Sequence, residues 1–514
     1  MRLSFIVLSI ALSTALGCGR GASSRSTEPP GHAGAADGGT PDAGEPDAGS
    51  PHDVSIVDLD AGPTPFISLV RLGGVALGQA TDLGFTIDPK PGTASPPVSV
   101  VWSIGALRSR GYVGEAGVTL PVFGLYAGYD NTGAIQVTFQ DGSTQRLPLA
   151  ISTPRYTDPT GLYDHPVVLR ARPPGTPSGV SFFAMKSTIA PVVIVDSDAA
   201  IRWVGTNTPS MSVLYDGSGF VVGDPQHPTF QRMELDGTLV SGTVKDPAAT
   251  DFHHNIDPGK QGFLVELDTT SGGGYFLAEI GPDGTELQTW DLAQILREYM
   301  TAHGDDPSQL VRLDADWFHM NAATYDPSDD SVIVSSREQF LIKLGYASHD
   351  VRWILGDPTK FWATFPSLRA RALQVPDGGL YPIGQHATSF TSSGLLMLFD
   401  DGFASQHVPQ GAPPGEDRSF SVVSAYAIDP TAMTATPVWQ YANGLYSRVC
   451  SSAYEGTDGA VLVDYAVSDG GVTTRIIALD ASHQPVFDLS YPNEHGCDTA
   501  WNSVPVPLDH LRLE

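Results

Sequence analysis

The stretch that decides the fold runs from His319 to Leu355: HMNAATYD (319–326), the turn PSDD (327–330), SVIVSS (331–336), FLIKLGY (340–346), the turn ASHD (347–350) and VRWIL (351–355). Short apolar, β-branched runs separated by Pro, Ser and Asp turns describe four strands joined in order. The same order recurs from His253 (HHNID, PGKQG, FLVEL, YFLAEI, GPDG, ELQTW) and from His386 (HATSFT, SSG, LLMLF, SVVSAYAID, TPVWQYA). Another copy starts at Val449 (VCSSAYEG, AVLVDYA, TRIIALD, PVFDLSY), and two shorter ones precede at 182–205 and 211–244. One such unit cannot bury both faces alone, whereas six in a ring cover one another and leave no long free edge. The expectation is an all-β chain whose residues 160–514 form a six-bladed β-propeller.

Upstream of the repeat the texture changes. The runs FISLVRL (66–72), VSVVWSI (98–104), VTLPVFGLY (118–126) and AIQVTFQDGSTQRLPLAI (134–151) predict a small N-terminal β-sandwich over residues 66–155. Residues 19–65 are Gly, Ala, Ser, Pro and Asp with few apolar side chains and include PDAGEPDAG, which reads as a disordered tether. Residues 1–18 have Arg2, an apolar run from Leu3 to Leu16, then Gly17 and Cys18. That run is too short to span a bilayer as a helix and reads as an export signal. Its small-residue-then-Cys end resembles the lipobox of bacterial lipoproteins, which implies lipidation at Cys18 and a periplasmic or cell-envelope location. A plain secretory signal is the alternative.

Composition narrows the function. The 514 residues carry 57 acidic and 28 basic side chains, a net charge of −29 with only six lysines. A polyanion of this kind lacks the clustered Lys and Arg that nucleic acid or an acidic membrane surface requires, so the only membrane attachment expected is the N-terminal lipid. No phosphate-binding glycine loop or dinucleotide fingerprint occurs, and no soluble cofactor is indicated. With Cys18 set aside, Cys450 and Cys497 remain; an oxidising compartment allows them to pair, and two buried thiols are the alternative.

Three histidines fall at one phase of the repeat: His319 follows His253 by 66 residues, and His386 follows His319 by 67. Each opens the first strand of its unit, so three imidazoles should converge at one mouth of a central channel. Arg337 ends the second strand of the His319 unit and should return to that mouth. Phe361, Trp362, Phe365 and Tyr381, in a long insertion there, are candidates for an aromatic wall. Three imidazoles invite zinc, but a guanidinium beside them repels a cation, and no carboxylate is apparent at a matching position of the repeat. Imidazoles with Arg337 and the amide of Asn321 instead suit a tetrahedral oxyanion, with one neutral imidazole as nucleophile. His254 should point to the opposite face of its strand from His253.

The motifs resemble those of the bacterial arylsulfate sulfotransferases of the PAPS-independent type. DWFHMNAATYDPSDDSVIVSSREQFLIKL (316–344) with VRWILGDP (351–358) is similar to that family's most specific segment, GQHATSF (384–390) to the one holding its nucleophile, and FHHNI (252–256) to its earlier histidine motif. VFGLYAGYDNTGAIQVTFQDGS (122–143) is similar to the family's sandwich. The resemblance implies that His386 takes a sulfuryl group from an aryl sulfate, forming a sulfohistidine, and passes it to a phenol in a ping-pong cycle. Arg337, His319, His253 and Asn321 would hold the sulfuryl oxygens, with Ser451 and His254 as further substrate contacts, and no metal. Ser451 stands where the family usually has a small hydroxyl residue, often Thr, with Cys450 beside it. The segment WNSVPVPL (501–508) lacks an Arg expected before the closing strand. An aryl sulfate hydrolase and a non-catalytic envelope-binding propeller stay open as alternatives, as does a homodimeric assembly.

Overall fold

The computed structural model describes residues 53–514 except 177–178, 225–226, 228, 246–248, 270–273, 377 and 495. The export signal, Cys18 and the tether up to residue 52 lie outside the described residues. Among the described residues the chain is all-β, with strands in eight sheets and three short α-helices.

Two of the sheets belong to the N-terminal region. The first has the order Val113–Gly114, Gly117–Phe123, Ile67–Gly73 and Ser55–Ala61. The second has Thr144–Ser152, Asp130–Phe139, Ala80–Ile87 and Val98–Ser103, and ends on Leu511–Leu513. They share one core: the rings of Phe85 and Trp102 meet Phe123 edge-on at centroid distances of 5.4 and 6.3 Å. Such aromatic pairs carry much of a small core's burial.

Two expected boundaries move. The tether was placed as far as residue 65, but Ser55–Ala61 is an edge strand paired with Ile67–Gly73, its Asp58 and Asp60 meeting Arg71 at 3.4 and 3.3 Å. Its sequence SIVDLDA buries little, which hides it from a composition reading. At the other end, Leu511–Leu513 leaves the repeat and runs parallel to Val98–Ser103, with Leu508, Leu511 and Leu513 buried in the N-terminal core.

The other six sheets follow the repeat. Sheets two to five each take four consecutive antiparallel strands: 213–243, 249–291, 320–355 and 386–441. The sixth has Ser452–Glu455, Val461–Ser468, Thr473–Leu479 and Pro485–Pro492, with Val167–Arg170 added at its outer edge. The first takes three strands from 182–204, and its remaining strand, Asn502–Pro505, comes from the far end of the chain.

Side-chain hydrogen bonds link neighbouring sheets in cyclic order. Trp501 donates to the Met211 carbonyl at 2.9 Å, and Ser212 to that of His254 at 2.6 Å. Ala323 N donates to Asp257 at 2.9 Å, and Thr324 to the Thr388 carbonyl at 2.8 Å. Ser392 N donates to Glu455, and Ser452 to the Ser503 carbonyl at 3.1 Å. The N-terminal region is tied to the first sheet by Arg202, which is fully buried, pairs with Asp196 at 3.0 Å and donates to the Gly124 carbonyl at 2.7 Å.

Candidate functional site

The strand that holds or follows each of His253, His319 and His386 loses register beside it. Phe252 faces Leu267 and Ile256 faces Val265, so the partner strand matches only part of 253–255. Met320 faces Ser336 while Ala322 faces Ser335, and His386 faces Phe399 while Ser389 faces Met397. Each is a bulge, which bends the strand and re-aims its side chains. His319 (φ 48°) and Ala387 (φ 52°) take the left-handed conformation that non-glycine residues seldom adopt.

The bulge at 253–255 overturns the expectation that His254 faces away from His253. The two rings lie 4.3 Å apart, and His254 lies 4.8 Å from His319, with His253 and His319 5.5 Å apart. Ring nitrogens of all three fall within 4.8 Å of one another. Burial first, then the fields of His253, His319, His386 and Arg337, pushes the His254 imidazolium well below its ordinary range, so the fourth histidine and the guanidinium act on the same cluster.

Each imidazole has a carboxylate near Nδ1, in bonding contact for some and more distant for His254. His253 meets Asp268 at 2.9 Å, His319 is bonded to Asp316, and His386 meets Asp401 at 3.1 Å. For His254 the carboxylate is Glu266, at 3.9 Å. His386 Nδ1 also lies 3.0 Å from the Gly384 carbonyl, an atom that only accepts, so Nδ1 carries the proton and Nε2 its lone pair. Burial raises the Asp401 carboxyl to about 6 against the opposing pull of His386. Burial also lowers the His319 imidazolium, with Asp316 opposing it. Sequence reasoning missed these carboxylates, although Asp268 and Asp401 each follow their histidine by fifteen residues.

Arg337 N donates to the His319 carbonyl at 3.0 Å, so the guanidinium springs from the residue facing that histidine. It pairs with the buried Glu338, lies 5.2 Å over Phe403, and leaves its buried Nη2 without a hydrogen-bond partner. Glu338 also accepts from Gln406 N at 2.7 Å and His407 N at 2.8 Å, and the buried Lys360 amine bonds the Arg337 and Glu338 carbonyls at 3.2 and 3.1 Å. The loop after Asp401 is thereby fastened beside Arg337. The guanidinium that argued against a cation is paired with Glu338 while its field still reaches His254 and His319, and carboxylates stand near the imidazoles.

Other expected contacts are placed differently. Asn321 donates to the Gln385 carbonyl at 2.8 Å, bracing the residue before His386, and its buried Oδ1 is an acceptor that sulfuryl oxygens cannot use. Ser451 is fully buried; its hydroxyl bonds Ser447 at 2.8 Å and accepts from Ala466 N at 3.1 Å, so its bonds stay within its own sheet and turn. Trp362 is buried in a core shared with helix Leu292–Ala302 and meets Phe340 edge-on at 5.4 Å, Phe361 and Phe365 pack edge-on at 5.1 Å, and Tyr381 caps Val375 N at 3.0 Å. Phe403 takes the aromatic place beside the site. Cys450 and Cys497 are joined by a disulfide, with Cα atoms 6.4 Å apart.

Comparison with known proteins gives one matching family model, Arylsulfotransferase (ASST), over residues 169–502. The "Arylsulfate sulfotransferase AssT" of Escherichia coli O6:H1 is 28% identical over 210 residues, covering 32% of this chain and 34% of that protein. The protein of the same name from Lelliottia amnigena is 23% identical over 494 residues, covering 74% and 78%. The match thus spans about a third of the first relative's length and over three quarters of the second's. Among solved structures, the β-propeller domain of a Myceliophthora thermophila Cps50 (Swd1) aligns at 14% identity and TM-score 0.35, covering 64% of this chain and 91% of that one. A europium-containing methanol dehydrogenase aligns at 11% and 0.32, covering 72% and 76%.

Proposed function

The chain belongs to the arylsulfotransferase family, and from that premise we propose that it moves a sulfuryl group from an aryl sulfate to a phenol, with His386 as the covalent carrier. One observation carries the assignment: Nδ1 of His386 gives its hydrogen bond to the Gly384 carbonyl, with the Asp401 carboxylate 3.1 Å away, which turns the Nε2 lone pair outward.

In this reading Nε2 attacks sulfur, the sulfur–oxygen bond to the aryl group breaks, and the electron pair leaves on the phenolate. The new N-sulfo imidazole keeps its Nδ1 proton, and Asp401 balances the positive charge that results. The free Nη2 of Arg337 receives the sulfuryl oxygens, whose negative charge is largest in the transition state. Near His253 and His319, with Asp268 and Asp316 beside Nδ1, an Nε2 lone pair takes the proton of the incoming phenol, and the imidazolium so formed returns that proton to the phenolate departing in the next turnover. That phenol attacks sulfur, the nitrogen–sulfur bond breaks, and His386 regains its lone pair. No cofactor enters the cycle.

The cyclic bonding of the six sheets supports reading them as the blades of a propeller, with the two N-terminal sheets as a sandwich before it. An export signal, lipid attachment at Cys18 and an envelope location fit the Cys450–Cys497 disulfide, which an oxidising compartment favours. Among the described residues no helix is long and apolar enough to cross a membrane. The test is release of a chromogenic phenol from its sulfate by the purified protein, with and without a second phenol. Acceptor-stimulated release is expected; release indifferent to the acceptor means hydrolysis, and no release means a binding role.

A further inference from the structure

Beyond sulfuryl transfer, the cluster of His253, His254 and His319 has the makings of a second kind of site. We infer that these three side chains bind one divalent transition-metal ion of the zinc class, and that the ion competes with aryl sulfate for the cavity. Their ring nitrogens already lie within 4.8 Å of one another, two from adjacent positions of strand Ala249–Pro258 and one from the residue before strand Met320–Asp326. Zinc–imidazole bonds of about 2.0–2.1 Å in a tetrahedron bring such nitrogens to roughly 3.4 Å, a closure within reach of small side-chain rotations.

The orientation of the rings carries the inference further. Asp316 is bonded to Nδ1 of His319 and Asp268 lies 2.9 Å from Nδ1 of His253, which leaves Nε2 and its lone pair for a ligand. A carboxylate on the outer nitrogen is the arrangement that fixes the tautomer of metal-binding histidines and raises their basicity. Nε2 of His253 and Nδ1 of His254 are both buried without hydrogen-bond partners. Three neutral ligands also leave the fourth tetrahedral position open to water.

The charge around the cluster is mixed. The field of Arg337 opposes a cation there, but that guanidinium is paired with the buried Glu338, and Asp268 and Asp316 stand behind two of the imidazoles. The chain as a whole carries −29. Competition follows because the ion takes up the Nε2 atoms of His253 and His319, which in the transfer reading must meet the phenol oxygen of the bound aryl sulfate. His386 lies outside the cluster and keeps its own lone pair. Metal binding stands without the transfer reading; only the competition rests on it.

The experiment uses the full chain after chelator treatment, titrated with Co2+. Expected are one ion per chain, the intense visible absorption of four-coordinate Co2+ with nitrogen ligands, and its displacement by Zn2+. His319→Gln should abolish that band, and Asp316→Asn, which keeps all three ligands, should weaken binding roughly 10–100-fold, with circular dichroism reporting that the fold is intact. Zn2+ should raise KM for aryl sulfate and leave kcat unchanged. Weak octahedral absorption in the unaltered protein, or affinity indifferent to both substitutions, would place the metal on acidic surface turns and overturn the site. An active enzyme without the band removes the metal alone; the band in a protein without transferase activity removes transfer and leaves the metal.

Discussion

Nδ1 of His386 lies 3.1 Å from the fully buried carboxylate of Asp401, a residue fifteen positions later, just past the end of strand Leu396–Asp400. This pairing orients the proposed nucleophile and balances the charge it acquires. Asp401→Ala should therefore lower kcat by roughly 100-fold, the scale of a lost proton-positioning partner, and leave KM for aryl sulfate little changed. Steady-state kinetics with a chromogenic sulfate reads both; an unaltered kcat would remove Asp401 from the mechanism.

The pH profile follows from the same residue. Burial holds Asp401 at about 6, above the ordinary carboxylate value of 3.8. Below pH 6 it is protonated and no longer balances His386, so kcat should fall along an acid limb near pH 6 that Asp401→Asn removes. For stability the sign is opposite. A raised folded-state value favours the fold fully below about pH 4, and that contribution is lost as pH rises to about 6. Asp401→Asn should accordingly unfold no earlier than the parent at pH 7.

At Arg337, truncation would strand the buried Glu338 and cost stability for reasons unrelated to catalysis. Arg337→Lys keeps the charge and removes the planar fork. It should lower kcat/KM by about 100–1,000-fold, the scale of a lost oxyanion donor, with thermal unfolding nearly unchanged. Parental kcat/KM in this variant would show that the guanidinium does not hold the sulfuryl group.

A Cβ added at Gly274 would fall 2.4 Å from Nε2 of His253. Gly274→Ala must turn that ring away, and a displacement of about 1 Å in a catalytic group costs on the order of 100-fold in rate. Activity is expected to drop by that factor while circular dichroism stays the same. If rate is retained, His253 is dispensable for proton transfer.

The disulfide closes a sequence separation of 47 residues between Cys450 and Cys497. Its removal by Cys450→Ala with Cys497→Ala should cost about 2–4 kcal/mol, read from denaturant unfolding, and the unreduced parent should show neither thiol to a thiol reagent. Two titratable thiols in the mature protein would contradict the pairing.

Much of this was legible in the sequence because the repeat is local. Each of sheets two to five draws its strands from one continuous stretch, so strand pattern and turns sufficed. The spacing of His253, His319 and His386 pointed to convergence, and Arg337 was placed by following a strand back to its start. What escaped was non-local or broke alternation. Asn502–Pro505 completes the first sheet from the far end of the chain, and Leu511–Leu513 returns to the N-terminal region, where no local pattern announces either. Strict alternation puts His254 behind its strand, and only the bulge brings it inward. Asp268 and Asp401 were readable from their common offset, had the offset been sought. Ser451 was carried over by resemblance, and its hydroxyl is engaged by Ser447 and Ala466.

The most direct test of the central claim is the covalent intermediate. The protein is mixed with excess aryl sulfate and no phenol acceptor, quenched and digested at neutral to alkaline pH, and its peptides are weighed by mass spectrometry. The account predicts one added sulfuryl group on the peptide containing His386, located to that residue by fragmentation and discharged when a phenol is added. A sulfuryl group on any other residue, or phenol release with His386 unmodified throughout, would contradict it.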